Sequence, residues 1–242
     1  MRALFLALSL LFGLSAAKAD EPCRAVNFAA THFTACTFDL RQDRLALYNL
    51  NPSGQPYGTF SALRSALSAQ GRQLAFAMNA GMFDETLKPV GLYVEQGHLL
   101  KKINRRNGGG NFHLKPNGVF FIAGDRAGVV ETEAFVRSAP HVDFATQSGP
   151  MLVIDGNIHP SFSAEGTSAK LRNGVGSVDE HHVVFAISDE PVTFYDFARL
   201  FRDELHCPNA LFFDGSVSSL YAPDIGREDG YVPLGPMVGL AK

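Results

Sequence analysis

Short apolar runs separated by turn residues predict that this chain is built mainly from β-strands. Leu45 and Leu47 alternate with less apolar neighbours in RLALYN, which is typical of a half-buried strand. The runs LAFAM, VFFIA, MLVI and HVVFAIS predict further strands, and GLYVEQGHLL predicts a hairpin that turns at Gln96 and Gly97. Two more turn signals border these runs: Asn117-Gly118 and Asp155-Gly156.

Two segments have the pattern of helices. The first is capped by Thr59 and closed by Gly71, with Phe60, Leu63 and Leu67 on one face. In the second, Thr193 and Asp196 resemble a capping box, and the inward residues are Phe194, Phe197, Leu200, Phe201 and Leu205. Close hairpin spacing with few helices predicts an α+β fold. We expect a single domain with a mixed or largely antiparallel β-sheet core, hairpins and a few flanking helices.

The first 19 residues have the pattern of a secretory signal peptide. Arg2 precedes an apolar stretch from Ala3 to Leu14, and Ala17-Lys18-Ala19 matches a cleavage site. The stretch is shorter than the roughly 20 apolar residues that cross a membrane. We therefore expect residues 1–19 to be removed, residues 20–242 to form the mature domain without stable membrane insertion, and the protein to be periplasmic or secreted.

Charge and composition narrow the class of partner. The chain of 242 residues has a formal net charge of −3, which becomes −5 when Arg2 and Lys18 are removed with the signal. A mildly acidic surface gives no general attraction to nucleic acid or to anionic membranes. Neither is therefore expected as a partner. The oligomeric state is not determined by the sequence.

Three cysteines allow one disulfide in an oxidising compartment, with one thiol left over. The sequence does not choose the pair. Cys36 and Cys207 lie beside predicted strands whereas Cys23 lies in the mature N-terminal tail, which favours pairing of the first two. A catalytic thiol is disfavoured because only His206, next to Cys207, offers an activating neighbour.

At three places an apolar strand runs directly into a small polar turn. These are FAMNAGMF around Asn79 and Gly81, LRNGVGSV around Arg172, and LFFDGSVSS around Asp214. Glycine lets a backbone approach a ligand closely, and arginine matches phosphate oxygens with two parallel donors. Each motif alone is also explained by a turn whose Asn or Asp bonds its own backbone. Together they indicate a site for a sugar phosphate.

The same three segments resemble the motifs of a known protein family. NAGMF at 79–83, RNGVG at 172–176 and DGSVSSL at 214–220 resemble, in that order, the signature segments of the phosphodiester glycosidase family. The bacterial branch is the closer match, through VGLYVEQG, GNFHLKPNGVFF, ATQSGPMLVIDG and CPNALFFDGSVSSLYAP. The similarity runs from about Cys36 to Val238. It implies an exported hydrolase that cleaves an N-acetylglucosamine-type sugar 1-phosphodiester to free sugar and phosphate monoester. The partner that it implies is thus a small-molecule or envelope-glycan substrate.

Carried over by position, the resemblance implies roles for particular residues. Arg172 is expected to hold phosphate charge, Asp214 to act as general base or hold a sugar hydroxyl, and Asn79 to donate hydrogen bonds. Where the family has glycines in the Asp214 turn, this chain has Ser216 and Val217. The expected substrate-binding residues are Gly81, His113, Lys115, Asn117, Gly215, Ser216 and Ser218.

Several alternatives stay open. A second catalytic acid is not identified, with Asp84, Glu95 and Asp155 as candidates. The altered turn also fits a non-catalytic periplasmic protein that binds carbohydrate or envelope glycan. No histidine spacing indicates a metal site and no cofactor is expected, although a divalent cation held by carboxylates remains compatible with the sequence.

Overall fold

The computed structural model describes residues 21–230 and 232–242, so the predicted signal peptide lies outside the described residues. Strands dominate, as the sequence predicts. They are β1 Cys23–Phe28, β2 Thr31–Asp39, β3 Leu45–Tyr48, β4 Leu74–Asn79, β5 Tyr93–Glu95, β6 His98–Lys101, β7 Gly118–Ala123, β8 Arg126–Glu131, β9 Phe144–Ser148, β10 Met151–Ile154, β11 Asn157–Ile158, β12 Asn173–Ser177, β13 His182–Ser188, β14 Asn209–Asp214, β15 Leu220–Ala222, β16 Arg227–Glu228 and β17 Met237–Ala241. The α-helices are α1 Phe60–Ser68, α2 Thr132–Ser138 and α3 Phe194–Arg199.

The described strands form three sheets. Their orders are β1-β2-β13-β12-β14-β10-β11, β16-β15-β4-β17-β3 and β6-β5-β9-β7-β8. Neighbouring strands pair antiparallel in each of them. The expected α+β fold with hairpins and few helices is therefore confirmed, and the sheets are antiparallel rather than mixed.

Aromatic side chains from all three sheets meet in the largest hydrophobic core. Phe185 of β13 packs against Phe76 of β4 at 5.4 Å between ring centroids, and against Phe120 of β7 at 5.7 Å. Phe38 of β2 also contacts Phe76, at 4.7 Å. Each of these phenylalanines points to the core-facing side of its strand, and their ring contacts pack the three sheets against one another.

Both predicted helices are present, with their predicted caps. The Thr59 hydroxyl accepts a hydrogen bond from the Ala62 amide at 3.1 Å, and α1 buries Phe60, Leu63 and Leu67. The Thr193 hydroxyl accepts from the Asp196 amide at 3.1 Å and opens α3. Two helical features were not expected from the sequence. They are helix α2, and a π-helical turn, Leu200–Glu204, that continues α3. Among the described residues, no helix combines the length and apolar character that a membrane crossing requires.

The favoured cysteine pairing is wrong. The disulfide joins Cys23 to Cys36, and Cys207 is a free, buried thiol. Cys23 does not lie in a tail: it belongs to β1, which pairs with β2 in a register that places Cys23 directly opposite Cys36. Directly opposed residues of antiparallel strands bring their Cβ atoms within reach of a disulfide. Cys207 packs against Gly176 instead, where there is no room for another side chain.

Candidate active site

Two of the predicted polar turns, at Asn79 and Asp214, meet the Arg172 segment at one place in the fold. The third predicted turn is wrong, because Asn173–Ser177 form strand β12 and Arg172 ends the loop that precedes it. Asn79 ends β4 of the second sheet, Asn173 begins β12 of the first, and Asp214 ends β14, the neighbour of β12. In the β12–β14 ladder, Asn173 is paired with Asp214, next to an irregularity in the register. The ends of two sheets therefore meet at these side chains.

Asn173 is the centre of a buried hydrogen-bond network. Its side-chain amide nitrogen donates to the Asn79 backbone carbonyl at 2.8 Å and to Asn79 Oδ1 at 3.0 Å. Its own Oδ1 accepts from the Asp214 amide at 3.2 Å. Asn79 Oδ1 also accepts from the Ser219 amide at 2.9 Å. Both asparagines are fully buried, so the network fixes the start of the Asp214 turn relative to β4.

The Asp214 carboxyl group organises its own turn. Its Oδ1 accepts from the Ser216 amide at 2.6 Å and from the Val217 amide at 3.4 Å. Burial raises the pKa of Asp214, and these backbone hydrogen bonds oppose the rise. The Ser218 hydroxyl donates to the Asp214 carbonyl at 2.8 Å. Asp214 is thus a buried carboxyl held in one orientation by its turn.

Arg172 is a buried guanidinium without an acidic partner among the described residues. Its Nε donates to the Val192 carbonyl at 2.8 Å and its Nη2 to the Ser168 carbonyl at 2.9 Å. The guanidinium carbon lies 3.6 Å from the centroid of the Phe194 ring. Burial lowers the pKa of Arg172 to about 10, so the side chain remains charged at neutral pH. An uncompensated buried charge is costly, and a bound anion would relieve the cost.

Arg172 and Asp214 line one cavity of about 680 Å³ together with Gly215 and Ser216. We call it the Asp214 cavity. A cation and a raised-pKa carboxyl in one concave site are the elements of an acid-base centre for a charged substrate. A Cβ added at Gly215 would lie 3.2 Å from the Phe212 ring and 3.3 Å from the Leu171 carbonyl. Glycine at this position therefore keeps the turn close to β12.

Two other residues expected at the site stand behind the cavity rather than in its wall. Asn79 is fully buried in the network described above. Gly81 has a φ of 128°, and a Cβ there would lie 2.8 Å from Thr146 Oγ1. Gly81 therefore permits close packing of the chain after β4 against β9. Their roles with substrate stay predictions.

The structure does not bring His113, Lys115 and Asn117 to the Asp214 cavity. Asn117 is buried and donates to the Phe112 carbonyl at 2.9 Å. Lys115 Nζ donates to the Arg105 carbonyl at 2.9 Å, and His113 Nδ1 lies 3.1 Å from the Arg106 carbonyl. These contacts hold the 105–117 loop together. Binding of substrate by these three residues stays a prediction.

The candidates for a second acid also lie away from the cavity wall. Asp84 accepts hydrogen bonds from Thr86, and Asp155 lies in the turn between β10 and β11. Glu95 is in β5, where burial raises its pKa. Asp214 is the one carboxylate among the described residues that line this cavity.

Sequence reasoning missed several residues that line the cavity: Met82, Phe83, Asn111, Ser168, Lys170 and Phe194. It also missed Asn173 as a positioning residue. Asn173 and Met82 lie inside the motifs quoted above, so both could have been proposed as site residues from the sequence. Phe194 was expected only as an inward residue of its helix, and no local pattern marks Ser168 or Lys170. In the part of the chain that the structure describes, no group of three or more His, Cys, Asp or Glu residues is arranged to hold a metal ion.

Comparison with known proteins assigns the family. The model of the phosphodiester glycosidase family matches residues 72–232, which include Asn79, Arg172 and Asp214. This chain belongs to the phosphodiester glycosidase family. One relative is the uncharacterized protein YigE of Escherichia coli (strain K12). It is 38% identical over 221 residues, which span 91% of this chain and 85% of that protein.

Two solved structures share the fold of this phosphodiester glycosidase family member. One is the catalytic domain of zebrafish N-acetylglucosamine-1-phosphodiester alpha-N-acetylglucosaminidase, auto-inhibited by its pro-peptide. It has a TM-score of 0.59 and 16% identity, over 90% of this chain and 81% of that one. The other is a hypothetical protein from Synechocystis, with a TM-score of 0.57 and 14% identity, over 90% of this chain and 61% of that one.

Proposed function

We propose that this protein is an exported hydrolase that cleaves a sugar 1-phosphodiester, with N-acetylglucosamine as the sugar, into free sugar and a phosphate monoester. Family membership supports the reaction class. The choice of sugar is supported by the zebrafish enzyme of similar fold, which is named for that substrate.

The observation that carries the proposal is the unpaired guanidinium of Arg172. It is 1% exposed, lines the Asp214 cavity, and has no carboxylate partner among the described residues. Two of its nitrogens are already fixed by backbone carbonyls, so the side chain is oriented before any ligand arrives. A preorganised buried cation binds a phosphate strongly and stabilises the charge that develops as the phosphate leaves.

Asp214 supplies the other half of the chemistry. We assign it as the general base that accepts a proton from the attacking water while the bond between the anomeric carbon and the phosphate oxygen breaks. The raised pKa of Asp214 improves it as a base compared with an ordinary aspartate. The water oxygen becomes the new hydroxyl of the sugar, and the electrons of the broken bond remain on the phosphate monoester.

The nature of the leaving group explains why one carboxylate suffices. Ordinary glycosidases need a second carboxylic acid because a sugar alkoxide leaves poorly. A phosphate monoester is a weak base, with a second pKa of about 6, so it departs without a proton from the protein. This agrees with the single carboxylate found among the described residues that line the Asp214 cavity.

Export is supported by the disulfide. A Cys23–Cys36 bond persists in an oxidising compartment such as the periplasm and is rare in the cytosol. We propose that residues 1–19 direct the protein there.

The test is phosphorus and proton NMR of the purified protein with the methyl phosphodiester of N-acetylglucosamine 1-phosphate. We expect free sugar and methyl phosphate to appear, and both to be lost in folded Arg172→Ala and Asp214→Asn variants. Arg137→Ala removes an exposed arginine that does not line the cavity and serves as the matched control. Broadening of the sugar resonances without products would instead establish the alternative, a carbohydrate-binding protein whose Ser216 and Val217 replace the glycines of the family turn.

A further inference from the structure

A second cavity lies on the other side of the Asp214 turn. It has a volume of about 590 Å³ and shares four lining residues with the Asp214 cavity, namely Lys170, Gly215, Ser216 and Val217. We call it the Leu171 cavity. The two cavities therefore adjoin along one wall.

Several aliphatic side chains line the Leu171 cavity. Leu171 is 43% exposed and Val232 38%, which places them among the most exposed large apolar side chains of the described chain. Pro191 and Val217 line the same cavity. Exposed aliphatic groups gathered around a concave surface indicate an apolar ligand.

Arg227 forms ion pairs with two carboxylates that line the Leu171 cavity. Arg227 Nη1 donates to Asp189 Oδ1 at 2.5 Å, and Arg227 Nε donates to Asp229 Oδ2 at 3.1 Å. Arg227 Nη1 also donates to the Thr34 hydroxyl at 2.9 Å. These contacts occupy Arg227, and its two carboxylate partners leave the three groups with one net negative charge, so a second anionic group is disfavoured here. Lys170, at the shared wall, is the cation that stays available for phosphate oxygens.

We propose that the Leu171 cavity binds the second ester group of the phosphodiester, and that this group is an uncharged alcohol with an aliphatic segment. The inference rests on the proposed function. The sugar and the phosphate occupy the Asp214 cavity beside Arg172, and the alcohol crosses the shared wall at Lys170. Ser216 and Val217, larger than the glycines of the family turn, form the partition that sets the path of the chain between the two cavities.

The experiment compares two substrates that differ only in this group, the methyl and the n-hexyl phosphodiesters of N-acetylglucosamine 1-phosphate. We expect kcat/KM for the hexyl ester to exceed that for the methyl ester by about tenfold or more, from burial of a few methylenes. Leu171→Ser should reduce this ratio by at least about threefold, because it removes one buried aliphatic contact. Leu99→Ser removes another exposed leucine, on β6 and outside the lining of both cavities, and should leave the ratio unchanged.

Failure of this inference can be told from failure of the proposed function. If both esters are cleaved with equal kcat/KM and Leu171→Ser changes nothing, the subsite is overturned while the hydrolase stands. If neither ester is cleaved, the hydrolase is overturned and the subsite is judged by calorimetric Kd values alone. Tighter binding of the hexyl ester that Leu171→Ser abolishes supports the subsite, and equal Kd values overturn it.

Discussion

Asn173 and Asn79 are hydrogen bonded to each other across the junction of two sheets, 94 residues apart in the chain. Neither side chain reaches solvent. The pair links the ends of β12 and β4, and through the Asp214 amide it also fixes the start of the turn that lines the cavity. We therefore regard Asn173 as a positioning residue, which lies behind the side chains that line the Asp214 cavity.

Replacing Asn173 should cost both stability and activity. Asn173→Ala leaves Asn79 Oδ1 and the Asp214 amide without this partner in a buried site, and we expect the free energy of unfolding to fall by about 2 to 4 kcal/mol. Asn157→Ala, at an exposed asparagine, should change it by less than about 0.5 kcal/mol. Chemical denaturation measures both. Equal stability of the two variants would contradict a structural role for the network.

A lysine, which keeps only the positive charge, should not support the activity that Arg172 supports. Arg172→Lys keeps a cation but loses the planar fork whose Nε and Nη2 are held by the Val192 and Ser168 carbonyls. We expect kcat/KM for the phosphodiester to fall by about 100-fold, the size found when one preorganised transition-state donor is lost. Arg137→Lys, at an exposed position, is the matched control. Full activity of Arg172→Lys would show that only net charge matters at this position.

The pH dependence of cleavage should report Asp214. A general base must be ionised, so kcat/KM should rise with pH through the pKa of this carboxyl. Because burial raises that pKa, the acid limb should lie above the ordinary aspartate value of 3.8. Asp214→Asn should lower kcat/KM by about 100-fold or more, whereas Asp224→Asn, at an exposed aspartate, should keep both the rate and the limb. A limb at or below the ordinary value would argue against Asp214 as the base.

The same shift predicts an opposite effect on stability. A carboxyl whose pKa is raised by folding contributes stability below its unfolded pKa and loses that contribution as pH rises through the folded pKa. At neutral pH the buried, ionised Asp214 is therefore destabilising. We expect Asp214→Asn to raise the free energy of unfolding at pH 7 relative to the parent protein, and to have no such effect below the ordinary aspartate pKa. Denaturation at both pH values measures this, and a less stable variant at pH 7 would contradict it.

Thiol labelling should separate the three cysteines. Cys207 is 1% exposed and burial raises the pKa of its thiol to about 12, so it is neither accessible nor ionised at neutral pH. We expect iodoacetamide to add no label to the native protein, one label after denaturation without reductant, and three after reduction. Mass spectrometry counts the labels. Three labels without reductant, or a crosslinked peptide containing Cys207, would contradict the Cys23–Cys36 pairing.

The local sequence pattern by itself determined many of the strands, the helix caps and one hairpin of this protein. The strands around Leu45, Phe76 and Phe185, the hairpin at Gln96 and Gly97, and the caps at Thr59 and Thr193 all depend on neighbours a few residues away, and the structure has them where the sequence predicts. The polar turns at Asn79 and Asp214 were predictable for the same reason, since each follows its own apolar strand. Arg172 instead comes directly before β12, so the turn predicted there is a strand.

What only the tertiary structure decided depends on partners far apart in the chain. The disulfide was mispredicted because pairing of Cys23 depends on the register of β1 with β2, and the segment before β2 has no strong strand pattern of its own. The 105–117 loop carries a resembling segment, yet His113, Lys115 and Asn117 bond within the loop, because side-chain direction follows the loop conformation. The meeting of Lys170, Phe194 and Asp214 in one cavity, the isolation of the Arg172 charge and the second cavity beside it all arise from the closure of three sheets around a common core, which no run of neighbouring residues encodes.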